Sequence, residues 1–211
     1  MNSNLSTSDQ DISVTLPVRI GFDVIEAFLK KRFSGTIISK NDAKGKASQY
    51  FIILDLDLTE SQTEPYNLQL RLKLKTLTLL FHKKEIEVSI LAELRLDIET
   101  QKLYVEAYNI NSSGESWIAN TLLKSVLNTF IYKRIINTLS IDLMPLLQEK
   151  IELINTKLAS DLKATKNISI MGNVENFIIS HFKVKKDVIW VFIHTQGWGV
   201  ISIDDLDDLE V

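Results

Sequence analysis

Between Ile86 and Ile98, seven successive even positions are apolar: Ile86, Val88, Ile90, Ala92, Leu94, Leu96 and Ile98. The odd positions from Glu85 hold Glu87, Ser89, Glu93, Arg95 and Asp97, with Leu91 the exception. A period of two over that length predicts a β-strand with one wet face and one buried face. Such a strand would reach roughly 43 Å at about 3.3 Å per residue. The usual strand is about five or six residues long. A sheet wet on one side is expected to be antiparallel. Its apolar side must be covered by something comparably long. Composition agrees: the 211 residues include seven Gly, three Pro and no Cys. So few breakers argue against a fold of many short strands and tight turns. Without Cys there is no disulfide, zinc–thiolate site or cysteine nucleophile.

Read along the chain, residues 1–11 are expected to be disordered, 12–203 to form a single domain and 204–211 to be an acidic tail. Ile12, Val14, Leu16, Val18 and Ile20 alternate with polar residues and Pro17, which predicts a half-buried strand. Pro17 cannot donate to a ladder, so the strand lies at an edge or this position faces outward. Asp23 is a candidate N-cap for a short helix. Val24, Ile25, Phe28, Leu29 and Phe33 would be its apolar face, with Ser34-Gly35 ending it. A meander follows. Leu54, Leu56 and Leu58 alternate, then Leu68, Leu70, Leu72 and Leu74. The apolar parity changes at Leu77, Leu79 and Phe81, which predicts a bulge or bend. Residues 99–102 read as a turn before a strand with Leu103, Val105 and Ala107.

From Trp117 to about Leu139 the pattern is helical, on two adjacent apolar rows. One is Ile118, Leu122, Val126 and Phe130; the other is Leu123, Leu127, Ile131, Ile135 and Leu139. Together they make a wider arc than a surface helix needs. Asn120, Lys124, Asn128 and Lys133 hold the wet side. A second helix near Asp142 tolerates Pro145 in its first turn. Its stripe is Leu147, Ile151, Ile154, Leu158 and Leu162. The two could be one long helix kinked before Pro145. Strands return with Ile168, Ile170, Val174, Ile178, Phe182 and Val184, then 188–194. Gln196-Gly197 reads as a turn before a last strand.

Few residues announce chemistry. Gly45-Lys46 is followed by Ala47, so there is no phosphate-binding loop, and Gly197-Trp198-Gly199 is too short for a dinucleotide fingerprint. His82, His181 and His194 do not pair at metal-ligand spacing and read as structural or surface residues. Asp55 and Asp57 share one strand face, and solubility explains them better than acid–base work. Trp190 reads as core and Trp198 as exposed. Basic clusters such as Lys30, Lys31 and Arg32 read as solvated edges, and the net charge is −3. No nucleic-acid partner, metal, cofactor or enzymatic activity is expected. No apolar run approaches about 18 residues, so no transmembrane segment is predicted. The start shows no secretory signal, so the chain as given is expected to be cytoplasmic, with export left open if a leader was trimmed.

The opening 12–20 stretch, its short helix, the long meander, a long helix with Leu-Met-Pro-Leu-Leu at 143–147 and late strands resemble the tubular lipid-binding (TULIP) superfamily. That superfamily includes bactericidal/permeability-increasing protein. The likeness is greatest to a bacterial branch of unassigned function, often built of two such halves. Only one unit is present here. The resemblance implies an α+β fold in which a long, strongly curved antiparallel sheet wraps a long kinked helix around an apolar groove. The function expected is non-enzymatic binding of a lipid or fatty-acid-like ligand. Candidate lining residues are Leu72, Ile90, Leu94, Leu122, Val126 and Phe130. The alternative is an interaction module with a dry core, such as a subunit of a secretion or toxin-delivery assembly. Its edge strands would recruit a protein partner or a second copy.

Overall fold

The computed structural model describes residues 11–41, 47–78, 84–112, 121–160, 162–164 and 167–203. The expectations for residues 1–10 and 204–211, and for Leu79, Phe81, His82, Trp117, Ile118 and Asn120, lie outside these. The chain divides into two compact units. One draws on Met1–Val18, Asp142–His181 and Val191–Val211; the other on Arg19–Ile141 and Phe182–Trp190. They are called the first and second unit below.

The second unit is built on a six-stranded sheet. Strands β2 (Ile37–Asn41), β3 (Ala47–Glu60), β4 (Leu68–Thr76), β5 (Glu85–Asp97), β6 (Lys102–Ser112) and β7 (Ile141–Asp142) lie in that order. The pairs from β2 to β6 are antiparallel. The strand expected at 86–98 is β5, 13 residues from Glu85 to Asp97. Leu70 faces Ile90 and Leu72 faces Val88 across the β4–β5 ladder. Leu68, Leu70, Leu72, Leu74, Val88, Ile90 and Ala92 are buried, so the even-numbered face is the core face. Ile98 is 66% exposed and belongs to the turn. Bulges interrupt the ladders between Ile53 and Asp55 and between Glu93 and Leu94. The first moves the core parity from Ile53 to Leu56 and leaves Leu54 half-buried. The side chain of Asn67 closes on the second, donating to the Leu94 carbonyl and accepting from its N–H, both at 2.9 Å.

Helix α1 (Phe22–Phe33) starts from an extended Gly21, and Asp23 lies inside its first turn, not at the N-cap. There the carboxylate still meets the positive end of the helix dipole. Phe22, Ile25, Leu29 and Phe33 are buried, whereas Val24 and Phe28 are exposed. Glu26 accepts the Leu58 N–H at 2.7 Å and ties α1 to β3. Gly35, at φ 78°, makes the left-handed turn after the helix. Helix α2 (Thr121–Phe130) runs into a π-helical segment, Ile131–Ile136, and ends in α3 (Asn137–Leu139). Val126, Leu127, Ile131, Ile135, Ile136 and Leu139 are its buried side. Apolar spacing of four along 123–139 overshoots an α-helical turn by about 40° per step, or about 160° in total. The wider π turns take up part of that drift and hold the row on one face.

The expected single sheet around one long kinked helix is not what forms. The strands belong to two sheets, and strand is the prevalent structure. The helical run stops at Leu139. Ser140 is extended, and Ile141–Asp142 pairs at the edge of the sheet as β7. A separate helix, α4 (Met144–Ala159), begins with Pro145 in its first turn. The Asp142 carboxylate accepts the Met144 N–H at 3.2 Å. Ser140 to Pro145 is thus punctuation between two helices, not a kink within one. Within α4, Leu147, Ile151 and Leu158 are half-buried, and Ile154 is exposed.

The other sheet has the order β1 (Asp11–Gly21), β10 (Val188–Ile203), β9 (Ile168–Lys185) and β8 (Leu162–Lys163). Of the two placements expected for β1, the edge is observed. The turn expected at Gln196-Gly197 is absent, and β10 passes through it unbroken. In β9 the fully buried apolar side chain is Ile179, and Ile178 is exposed, so the parity inferred from Ile178 is corrected. Within the first unit, a Cβ on Gly172 would lie 2.6 Å from the Trp198 carbonyl oxygen. A Cβ on Gly197 would strike the Asn173 carbonyl. The glycines let β9 and β10 approach closely there.

Candidate functional site

In the second unit, the end of α1, strand β2 and the α2–π helix surround a cleft of about 440 Å³. Its floor is apolar. Phe33 and Phe130 meet edge to face, with ring centroids 6.3 Å apart and planes at 76°. Val126 and Ile37 extend that surface. Its rim is basic: Arg32 from α1, Lys40 from β2, and Lys133 and Arg134 from the π segment. A second cleft, of about 320 Å³, shares Arg32, Lys133 and Arg134 with the first. Phe28, Asn137, Thr138 and Ser140 complete its wall. Neither wall contains Asp or Glu among the described residues.

Of the candidate lining residues, Val126 and Phe130 are brought together in the larger cleft. Leu72 and Ile90 are fully buried and Leu94 is 4% exposed; all three sit on the inward face of the sheet, and none is in the wall of either cleft. Leu122 lies in the first turn of α2, and its side chain is outside the described set. Periodicity missed Phe33 as a partner of Phe130 and missed the four cations. In sequence Arg32 reads with Lys30 and Lys31 as a solvated edge, and Lys133 as the wet side of a helix. The row spacing of four was the signal for the π segment that displays Lys133 and Arg134.

Other candidate groups are occupied by neighbours. Asp55 pairs with Lys30 at 3.0 Å and accepts the Leu56 N–H at 2.9 Å. The Lys30 hydrogen bond, and then the Leu56 N–H, hold its carboxyl below the usual range. Asp57 pairs with Arg71 at 2.7 Å. His181 stacks on Phe192 with centroids 4.2 Å apart. In the first unit, His194 lies between the hydroxyls of Ser13 at 3.3 Å and Thr15 at 3.4 Å. A hydroxyl in the orienting position carries no charge to stabilise an imidazolium, unlike the carboxylate of a catalytic triad. Trp190 and Trp198 are both half-buried. Among the described residues no group of three or more His, Asp or Glu is placed to hold a metal. No described helix is long and apolar enough to cross a membrane, which says nothing about spans made of strands.

In sequence, no family model and no curated protein matches the chain. In structure, it is similar to a crystal structure of lipopolysaccharide binding protein, with a TM-score of 0.30 and 12% identity. The likeness covers 93% of this chain and 52% of that one, so the chain spans about half the length of that protein. The likeness carries no ligand, activity or partner over to this chain.

Proposed function

We propose that this protein binds an apolar, lipid-like ligand without transforming it, in the cleft between α1, β2 and α2. The observation that supports this reading is the cleft of about 440 Å³ with Phe33, Val126, Phe130 and Ile37 on its surface. That volume is within the range of small-molecule sites, about 300–1,000 Å³, which are mostly apolar with a few polar groups at fixed positions. Phe33 and Val126 are buried and Ile37 is 43% exposed, so a ligand gains about 25 cal/mol for each Å² of the apolar surface still open to water that it covers. The test is uptake of a fluorescent fatty-acid probe, together with native mass spectrometry of the purified protein. Saturable uptake that Thr129→Trp reduces by filling the cleft is expected. No uptake and no retained lipid would overturn the reading.

A second reading is supported by β1. It is an edge strand whose Ile12, Val14 and Leu16 are exposed. Apolar edges accept an added strand, from a partner or a second copy. Self-association that Val14→Lys abolishes, followed by light scattering after size exclusion, would favour it.

A further inference from the structure

We infer that the ligand of the larger cleft is an anionic amphiphile, with its oxyanion headgroup held by Arg32, Lys133 and Arg134 where the two clefts adjoin. This rests on the reading of that cleft as an apolar-ligand site, and it adds the charge that the ligand must carry. The chain has a net charge of −3, yet four cations line these walls with no carboxylate among the described residues. Elsewhere in the second unit some cations are paired: Lys30 with Asp55 at 3.0 Å, Arg71 with Asp57 at 2.7 Å, and Lys73 with Glu85 at 2.9 Å. Arg32, Lys40, Lys133 and Arg134 have no ion pair among the described residues, and all four side chains reach solvent. Like charges gathered in a concave wall repel one another and concentrate a field that an anion relieves.

Three of the neutral side chains in the two walls are engaged with backbone. Thr129 donates to the Ser125 carbonyl at 2.8 Å, Thr138 to the Arg134 carbonyl at 2.7 Å, and Asn137 to the Lys133 carbonyl at 3.1 Å. These bonds to the preceding turn occupy the Thr129 and Thr138 hydroxyl protons and one amide proton of Asn137. The charged groups left to a ligand in these walls are guanidinium and ammonium, beside the hydroxyls of Thr36, Ser39 and Ser140. Two arginines match the forked geometry of a carboxylate or phosphate group. Phe33, Val126 and Phe130, shared between the first cleft's floor and the π helix's approach, would carry the chain. Tail and headgroup surfaces are therefore contiguous through Arg32, Lys133 and Arg134.

The test compares cis-parinaric acid with its methyl ester, by fluorescence titration of the whole protein and of the Arg32→Gln/Lys133→Gln/Arg134→Gln variant. The acid should bind the wild type about tenfold or more tightly than the ester at low salt, as expected for charge-assisted contacts. Salt should narrow that gap. The variant should bind the acid no better than the ester and should keep the ester's affinity, which also reports that it is folded. Equal binding of acid and ester by the wild type, unchanged in the variant, would overturn the headgroup site and leave the apolar-ligand reading standing. No binding of either probe by the wild type would overturn both. If the triple variant loses the ester too, the single Arg134→Gln decides: a loss confined to the acid supports the site, and an equal loss of both overturns it.

Discussion

The side-chain amide of Asn155 grips the backbone of Val174, accepting its N–H at 2.7 Å and donating to its carbonyl at 2.9 Å. One side chain thereby serves both polar groups of a strand residue and anchors α4 to β9 within the first unit. Asn155→Ala leaves both groups to find other partners in a half-buried setting. A loss of about 1–3 kcal/mol is expected. Urea unfolding of the two proteins measures it, and a change below a few tenths would show that water replaces the amide.

Leu72 is fully buried on an interior strand of its sheet, whereas Ile98 is 66% exposed in a turn. Leu72→Ala is expected to destabilise by about 2–5 kcal/mol through lost transfer energy and a cavity. Ile98→Ala should stay within about 0.5 kcal/mol of wild type. Both are read from the same denaturant curves.

Phe33 and Phe130 couple α1 to α2 through their edge-to-face contact at 6.3 Å. A double-mutant cycle with Phe33→Leu and Phe130→Leu should return a coupling of about 0.5–1.5 kcal/mol. A coupling of zero would mean that the contact is incidental to stability.

The Lys30–Asp55 pair gives a pH dependence of defined sign. Lys30 lowers the carboxyl's pKa, and Asp55 raises that of the ammonium, in each case chiefly through their shared hydrogen bond. The aspartate's contribution exists above its unfolded value and is lost as pH falls through the folded one. The lysine's contribution exists below its unfolded value and is lost as pH rises through the folded one. The pair therefore acts between the carboxylate and lysine ranges. The two side chains are 38% and 55% exposed, so screening holds the effect to about 1 kcal/mol or less. Asp55→Asn should remove it at pH 7, and the two proteins should converge in acid and in high salt.

Gly172 and Gly199 differ in what a methyl group would meet. On Gly172 it lies 2.6 Å from the Trp198 carbonyl oxygen, which is backbone; on Gly199 it lies 3.1 Å from Ile12 Cδ1, which can rotate. Gly172→Ala should therefore destabilise by about 1–3 kcal/mol, as for overpacking against a fixed neighbour. Gly199→Ala should cost less. Thermal unfolding of the pair of variants decides the order.

Much of the second unit could be read from residues alone. Alternation over 86–97, broken only at Leu91, favours one register, because a slip of one residue would turn Val88 and Ile90 to water. Bulges were harder to place. Leu54 shares the parity of Leu56 and Leu58 and Ile53 does not, and only the β3–β4 pairing shows that the bulge puts Ile53 on the core side. The helical region shows the same limit. Apolar spacing marks both helical segments, but nothing local says whether Ser140 to Pro145 bends one helix or separates two. The pairing of Ile141–Asp142 with the sheet decides that. In the site, Val126 and Phe130 are legible because apolar rows are periodic. Arg32, Lys133 and Arg134 are not, because a cation on a helix surface looks the same in sequence whether it faces bulk water or a cleft.

By itself the sequence determined the long strands, the places of both main helical segments and the absence of cysteine chemistry. These follow from periodicity, turn residues and composition, all of which act over a few neighbouring residues. Tertiary structure alone decided that the strands divide between two sheets, that the helices are separate, and that cations from α1, β2 and the π segment share one wall with Phe33 and Phe130. Those facts depend on contacts between residues as far as 181 positions apart, and no short-range pattern encodes which distant surfaces will meet.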